Sequence, residues 1–195
     1  RIPKLVREGF RGVIYSTPET RALVGPLFED SVHLLGQEAL NASMPPLYTE
    51  EDVEAALHLW KGVAYHTPID LGGDMKATLY DAGHVLGSAI VVVEHGEEKI
   101  AFTGDLGNSP SVLLPDTEKI TGATYLIMES VYGNKIHPSK VERTEKLLSL
   151  VKETIAHKGV LLIPAFSLER TQTILYELNT FVEEAYIICN ILTWE

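Results

Sequence analysis

The clearest pattern of apolar and polar positions lies in residues 75–105, where short apolar runs alternate with turn residues. "MKATLYDA" and "SAIVVVEH" predict two strands, and "GEEK" predicts a turn that returns the chain through a third strand, "KIAFTGD". If residues 95–98 form the turn, Glu94 lies opposite Lys99. Because "IVVV" does not alternate apolar with polar residues, we expect both faces of its strand to be covered.

Upstream of this hairpin, the pattern predicts a short buried strand, "GVIYS" (12–16), and then two helices. The first begins at Thr17, a good N-cap that is followed by proline, and runs towards Leu40. Two prolines in "NASMPPLY" end this helix. The second helix lies within residues 49–60 and has a capping-box arrangement at its start.

Downstream, the pattern predicts an alternation of strands and helices. Its four elements are a buried strand at 123–130, an amphipathic helix at 139–159, an apolar strand at 160–166 and a helix at 167–184. Ser139 and Ser167 are the expected N-caps, and Gly159 is the expected C′ residue of the first of these helices. Such alternation is typical of a parallel α/β unit.

Chain length and composition limit the classes of protein to which this chain can belong. A chain of 195 residues holds one sizeable core, or one domain and part of another. No apolar run approaches the roughly 20 residues that span a bilayer, and the N-terminal residues contain no signal-peptide apolar region. The single cysteine, Cys189, excludes a disulfide within the chain, so we expect a reducing, cytoplasmic location.

The distribution of charge leaves two hypotheses open. A formal net charge of −11 argues against non-specific binding of nucleic acid by the whole surface. Residues 135–170, however, hold seven basic side chains against four acidic ones. This basic flank either steers a polyanion to one face or is simply the solvated surface of a helix.

Three side chains suited to metal chemistry follow or precede the predicted strands at one edge of the sheet. His84 precedes the first hairpin strand, Asp105 follows the second and Glu129 ends the strand at 123–130. Ligands usually bind at such an edge. Histidine nitrogen and aspartate oxygen are Zn²⁺ donors, and an aspartate can bridge two cations. Alternatively, His84 caps a loop and Asp105 forms an Asx turn before Gly107.

Other catalytic arrangements find no support in the sequence. The remaining histidines form no H-x-H or H-x-x-x-H pair, so they do not complete a metal site. No nucleophile elbow, P-loop or G-x-G-x-x-G motif occurs. From the residues alone, the metal-ligand and loop-cap hypotheses for His84 therefore both stand.

Four segments in order resemble one family. "DAGHVLGSA", "FTGDLGN", "MESVYGN" and "IPAFSLERTQTIL" are similar, in sequence and spacing, to the β-CASP branch of the metallo-β-lactamase fold, which contains RNA-processing nucleases. The resemblance covers roughly residues 1–184. It implies an α/β (α+β) chain, with a partial αββα sandwich at 1–134 and the beginning of a β-CASP domain at 135–184. Residues 185–195 do not match the family.

The resemblance also implies a role for each candidate residue. His84 matches a single zinc-binding histidine, and Asp105 matches the aspartate that bridges two zinc ions. Glu129 matches a catalytic acidic residue at the active-site edge that works with a histidine later in the family's sequence. Arg170 matches a basic position at the start of β-CASP, where it and Ser167, at the start of the last helix, favour a phosphate of the substrate.

The resemblance implies a zinc-dependent phosphodiesterase that acts on RNA, in a family where homodimers are common. The family's H-x-H-x-D-H motif, which supplies most zinc ligands, belongs upstream of Arg1. We therefore expect this chain to be an internal fragment that is inactive by itself. Two alternatives are a small-molecule metallohydrolase of the same fold, acting on thioesters or lactams, and a non-catalytic module without a complete metal site.

Overall fold

A computed structural model describes residues 1–183. Their elements are α1 (Ile2–Arg7), β1 (Ile14–Ser16), α2 (Pro18–Asn41), α3 (Glu50–His58), β2 (Trp60–Gly62), β3 (Ile69–Gly72), β4 (Met75–Asp81), β5 (Ala89–His95), β6 (Glu98–Phe102), β7 (Tyr125–Ile127), α4 (Lys140–Ala156) and α5 (Arg170–Glu183). No helix in this part of the chain is long and apolar enough to cross a membrane. The predicted departure from the family at 185–195 lies outside the described residues.

The chain divides into two compact units. The first contains Arg1–Ser109 and Pro115–Glu129, and the second contains Pro110–Leu114 and the described residues from Ser130 onward. In the first unit, β1 and β2 form a parallel pair, and a second sheet has the strand order β3-β4-β5-β6-β7. Neighbouring strands of that sheet are antiparallel except for β6 and β7, which are parallel. The fold is therefore mixed α+β, which confirms the predicted class.

The central hairpin has the predicted register. Glu94 pairs with Lys99 and His95 with Glu98, and the Lys99 ammonium lies 2.9 Å from the Glu94 carboxylate. The tight turn between β5 and β6 uses Gly96, whose φ of 58° is in the left-handed region. Because β4 and β5 pair along their whole lengths, the loop between them emerges at the same end of the sheet as the end of β6.

Strand β5 is covered on both faces, as its unbroken apolar run predicts. Ile90 and Val92 are each 2% exposed and pack with Ala101 in one buried cluster. Val91 and Val93 point to the opposite face, where they pack against a second cluster of Ile69, Ala77 and Leu79. The strand therefore anchors the loop that precedes it to two separate apolar layers.

The second unit contains two packed helices. A capping box opens α4, in which Ser139 N–H donates to the Glu142 carboxylate (2.7 Å) and Glu142 N–H donates to the Ser139 hydroxyl (3.2 Å). The predicted C′ residue, Gly159, is wrong by one position, because Lys158 takes the left-handed conformation with φ 50°. Val151 of α4 and Phe181 of α5 form the buried centre of this unit.

Two predictions about strands are wrong. Residues 160–166 form no strand, and Val160 and Leu162 are each 87% exposed, so the predicted parallel α/β unit is absent from the described residues. The strand predicted as buried at 123–130 is reduced to β7, whose three residues are 54–58% exposed. Among the described residues it is an edge strand that pairs with β6, and no layer covers its apolar side chains there.

The predicted N-cap of the last helix is also wrong. Residues 167–169 form a turn, and the helix begins at Arg170. Glu169 has φ 65°, a left-handed conformation that cannot belong to an α-helix. Ser167 is thus separated from the first helical turn that it was expected to cap.

Candidate functional site

His84 and Glu129 both contact the backbone of one residue, Leu106, and Asp105 directly precedes it. The Leu106 N–H donates a hydrogen bond of 2.6 Å to a Glu129 carboxylate oxygen. The His84 Nδ1 atom lies 3.3 Å from the Leu106 carbonyl oxygen. Because Asp105 directly precedes Leu106, the predicted site residues from three different strand ends occupy one rim of the first unit.

The contact of His84 with the Leu106 carbonyl selects a ring tautomer. A carbonyl oxygen only accepts, so Nδ1 carries the proton and donates it, which leaves the Nε2 lone pair open. The side chain is exposed. A ligating histidine commonly donates its second ring N–H to a carbonyl in this way. The loop-cap and metal-ligand hypotheses for His84 are therefore compatible with each other. Nδ1 holds the loop through its hydrogen bond, and Nε2 stays free to bind a metal.

Asp105 does not form the Asx turn that was its alternative role. The Gly107 N–H donates instead to the Ala82 carbonyl, at 2.8 Å. Among the described residues, the exposed Asp105 carboxylate has no hydrogen-bond or ion-pair partner. An imidazole nitrogen and a free carboxylate are donor types that suit Zn²⁺. Within residues 1–183, however, no group of three His, Cys, Asp or Glu side chains is placed to hold a metal, so the donor set is incomplete.

Ser88 closes the loop that carries His84. Its hydroxyl accepts the N–H groups of His84 (3.1 Å) and Val85 (3.2 Å), so it holds the backbone of the loop tip in place. Its carbonyl accepts the Tyr65 hydroxyl at 2.8 Å. Burial, and then the nearby carboxylates with Asp81 foremost, raise the pKa of Tyr65 to about 12, so that this hydroxyl remains a donor at neutral pH.

The same loop is fixed to the beginning of α2 through Gly87. The Gly87 carbonyl accepts the hydroxyls of Thr17 (2.7 Å) and Thr20 (2.9 Å). Gly87 has φ 83°, and a Cβ atom there would lie 2.8 Å from the Thr17 hydroxyl oxygen and from the Glu19 side chain. Thr17, which is 1% exposed, therefore does more than cap α2, since it also holds the His84 loop.

The loops of His84 and Asp105 contact each other backbone to backbone. A Cβ atom on Gly107 would overlap the Gly83 carbonyl oxygen, so this crossing requires glycine. The Ala82 carbonyl accepts the Gly107 N–H and the Thr117 hydroxyl, each at 2.8 Å. These contacts explain why glycines surround both predicted ligands.

Glu118 fixes the other end of the His84 loop. Its carboxylate accepts the Asp81 N–H (2.8 Å) and approaches His66 Nε2 (2.8 Å). Burial opposes ionisation of Glu118. The hydrogen bonds from the Asp81 backbone and the His66 ring outweigh that effect and hold its pKa below the usual value. The ionised carboxylate therefore links the end of β4 to the segment before β3.

Comparisons with curated proteins find relatives over most of the chain. It is 34% identical over 92% of its length to ribonuclease TTHA0252 of Thermus thermophilus, covering 40% of that protein. It is 34% identical over 91% of its length to endoribonuclease YSH1 of Yarrowia lipolytica, covering 21%. It is also 35% identical over 95% of its length to transcription termination factor FttA of Methanocaldococcus jannaschii, covering 29%.

The chain belongs to the β-CASP branch of the metallo-β-lactamase family. No protein-family profile matches it. It spans 40% or less of the length of the three relatives named above, so it represents only part of a β-CASP protein of their size.

Arg170 and Ser167, the two predicted phosphate contacts of this β-CASP chain, belong to the second unit. Arg170 is exposed at the first position of α5. The Ser167 carbonyl accepts the Gln172 side-chain amide at 2.9 Å, and the Phe166 carbonyl accepts the Thr171 hydroxyl at 2.7 Å. These bonds fold the preceding turn back onto the helix.

Several residues that shape this β-CASP rim were not found from the sequence. Ser88, Thr103 and Glu118 act through backbone contacts, which leave no distinctive motif. Thr103 is 5% exposed, and its hydroxyl donates to the Gly104 carbonyl (2.8 Å) and accepts the Glu129 N–H (3.3 Å). For Ser88 and Thr103, the available signal was a Ser or Thr next to a glycine at a loop boundary.

Proposed function

We propose that the protein containing this chain is a metal-dependent ribonuclease, and that His84 and Asp105 are two of its zinc ligands. The observation that carries the proposal is the open imidazole nitrogen of His84, whose ring contacts the Leu106 carbonyl, together with the unpartnered carboxylate of Asp105, the residue directly before Leu106. The named ribonucleases among its relatives support RNA as the substrate.

Each residue of the rim has a separate task in this proposal. His84 binds zinc through Nε2, since its Nδ1 is occupied by the Leu106 carbonyl. Asp105 offers both carboxylate oxygens and can bridge two ions. Glu129 fixes the peptide between Asp105 and Leu106 through the 2.6 Å hydrogen bond, so it positions the bridging ligand. When bound, the metal supplies positive charge that stabilises the attacked phosphate.

The second unit adds a phosphate contact in the same proposal. Arg170 is exposed at the N-terminal end of α5, where a guanidinium and the positive end of the helix dipole both favour an anion. Ser167 lies in the turn just before it. The cytoplasmic location and the homodimer also remain predictions for the whole protein.

The test is cleavage of a labelled oligoribonucleotide by the full-length protein. We expect activity to disappear on chelation and to return with Zn²⁺. His84→Ala and Asp105→Asn should each lower kcat by about 100-fold or more, because loss of a direct ligand should cost at least as much as the roughly 10- to 100-fold typical of residues that only support a ligand. The control is His95→Ala, because His95 is exposed at the opposite end of β5.

Three results would contradict the proposal. Full activity of His84→Ala would show that His84 is not a zinc ligand. Hydrolysis of a thioester or a lactam without cleavage of RNA would identify a small-molecule metallohydrolase. Absence of all hydrolysis in the presence of Zn²⁺ would support the non-catalytic module.

A role in transcription termination is a second candidate, favoured by the similarity to the archaeal factors that carry that name. It is compatible with cleavage of RNA. A termination assay with purified polymerase separates the two: loss of termination in His84→Ala indicates that cleavage is needed, whereas unchanged termination indicates a role that does not depend on the rim.

A further inference from the structure

An aromatic ring in the second unit is held open to solvent beside basic side chains. Tyr132 is 56% exposed in a turn shaped by hydrogen bonds from Gly133 N–H to the Ser130 carbonyl (3.1 Å) and from Lys135 N–H to the Tyr132 carbonyl (3.0 Å). The Lys135 ammonium lies over the Tyr132 ring, 5.8 Å from its centroid. The His137 ring meets it at 4.8 Å and 72°. These contacts restrain the ring without burying it.

This turn is also free of negative charge. Residues 130–141 contain two lysines and one histidine and no Asp or Glu, in a chain whose net charge is −11. Of the two flanking acidic residues, Glu129 accepts the Leu106 N–H, and Glu142 accepts the Ser139 N–H in the capping box of α4. The Tyr132 ring therefore lies in the kind of surface that a polyanion approaches.

We propose that Tyr132, Lys135 and Lys140 form a contact site for single-stranded RNA. One unpaired base stacks on Tyr132, and the two lysines bind neighbouring phosphates. Stacking on an exposed aromatic ring tolerates any base, and lysine binds phosphate as a point charge, so the site holds RNA without selecting its sequence. His137 positions the ring before RNA arrives, which lowers the entropy cost of binding.

The proposal rests on RNA being the substrate, as proposed above, but it concerns binding and not cleavage. Binding is therefore measured on the 195-residue chain in the presence of a chelator, by fluorescence anisotropy of a labelled single-stranded oligoribonucleotide. We expect Tyr132→Ala to weaken binding roughly tenfold, with little change in its salt dependence. Lys135→Ala should reduce the slope of log K against log salt concentration by about 0.7, the value for one lost phosphate contact on a single strand.

Matched variants separate a specific site from general charge or from misfolding. Tyr132→Phe keeps the ring and should bind as tightly as the unaltered chain. Tyr176→Ala removes a ring that is 53% exposed on α5 and should leave binding unchanged. Lys146→Ala removes an exposed charge from the middle of α4 and should weaken binding less than Lys135→Ala. Thermal unfolding followed by circular dichroism checks that each variant is folded.

Each contrary result overturns the site. Equal losses for Lys135→Ala and Lys146→Ala, together with no loss for Tyr132→Ala, would show diffuse attraction of a polyanion. Equal affinity for single-stranded and duplex RNA would exclude stacking of an unpaired base on Tyr132. Undetectable binding of RNA by the unaltered chain would exclude the site altogether. Failure of the full-length protein to cleave RNA is a different result, because it contradicts the proposed nuclease and leaves a measured contact at Tyr132 intact.

Discussion

At the scale of single residues, glycines set the separation of the two candidate ligand loops. Gly107 crosses the backbone of Gly83 so closely that a methyl group on Gly107 would overlap a carbonyl oxygen. Gly36, by contrast, lies in α2 with open space around its Cα. We therefore predict opposite effects on stability when alanine replaces glycine at the two positions.

We expect Gly107→Ala to destabilise the first unit by about 1–3 kcal/mol, because neighbouring backbone must move to admit the methyl group. Gly36→Ala should stabilise the chain by up to ~1 kcal/mol, since alanine is the better helix former. Urea unfolding measures both. A neutral Gly107→Ala would mean that the two loops do not touch as described.

At the scale of elements, the loops of the rim are stabilised by links to strands and helices that lie far away in sequence. Glu118 connects the end of β4 to His66, a residue held at φ 61° before β3. Thr17 connects the His84 loop to α2. These contacts hold the His84 loop against β4, α2 and the segment before β3. The conformation of the loop should therefore respond to the ionisation of Glu118.

The pKa of Glu118 gives the sign of that response. Since the folded state lowers this pKa below the ordinary 4.5, the ionised carboxylate stabilises the fold above about pH 4.5, and this contribution is lost as the pH falls through the lowered value. Glu118→Gln should lower Tm near pH 7 and make Tm depend less on pH in acid. Circular dichroism melts between about pH 3 and about pH 7 measure this. Glu97→Gln in the exposed β5–β6 turn is the control, and an equal effect there would contradict the link.

The sequence predicts elements well where local pattern and tertiary contact agree. The β5–β6 register follows from the turn and from an apolar run that two clusters cover. The same reasoning fails at 160–166, where an equally apolar run forms no strand because no partner strand lies beside it among the described residues. Pattern predicts that a segment can be a strand, but pairing decides whether it is one.

The candidate site is predictable to a similar extent. Sequence order and strand ends predict His84, Asp105 and Glu129 at one rim. The structure places His84 and Glu129 against the Leu106 backbone and Asp105 directly before it, while the roles of the three residues stay predictions. The backbone partners Ser88 and Thr103 were not predicted. Their contacts depend on loop conformations that no periodicity describes.

At the scale of the whole molecule, the described residues contain two of the proposed zinc ligands, His84 and Asp105, and an exposed apolar edge strand, β7. At no place in residues 1–183 are three His, Cys, Asp or Glu side chains arranged so that they could hold a metal ion. The apolar edge strand β7 is similarly open. The chain spans 40% or less of the length of the relatives named above.

We therefore expect the purified 195-residue chain to retain much less than one equivalent of zinc after exhaustive dialysis, because a stable zinc site needs three or four protein ligands. Metal analysis by mass spectrometry gives the ratio. His84→Ala should lower any residual zinc further, and His95→Ala should not. Near-stoichiometric zinc in the unaltered chain would show that these residues form a complete site by themselves.

The Leu106 backbone has a consequence for observing the rim in solution. Its amide proton lies in the 2.6 Å hydrogen bond to Glu129, while its carbonyl faces the His84 ring. The Leu106 amide resonance is thus sensitive to the contact with the Glu129 carboxylate, and the carbonyl resonance of the same residue is sensitive to the contact with the His84 ring. The hydrogen-exchange rate of the Leu106 amide proton therefore reports how often the contacts among these three strand ends open. The measurement needs no label on His84 or Glu129.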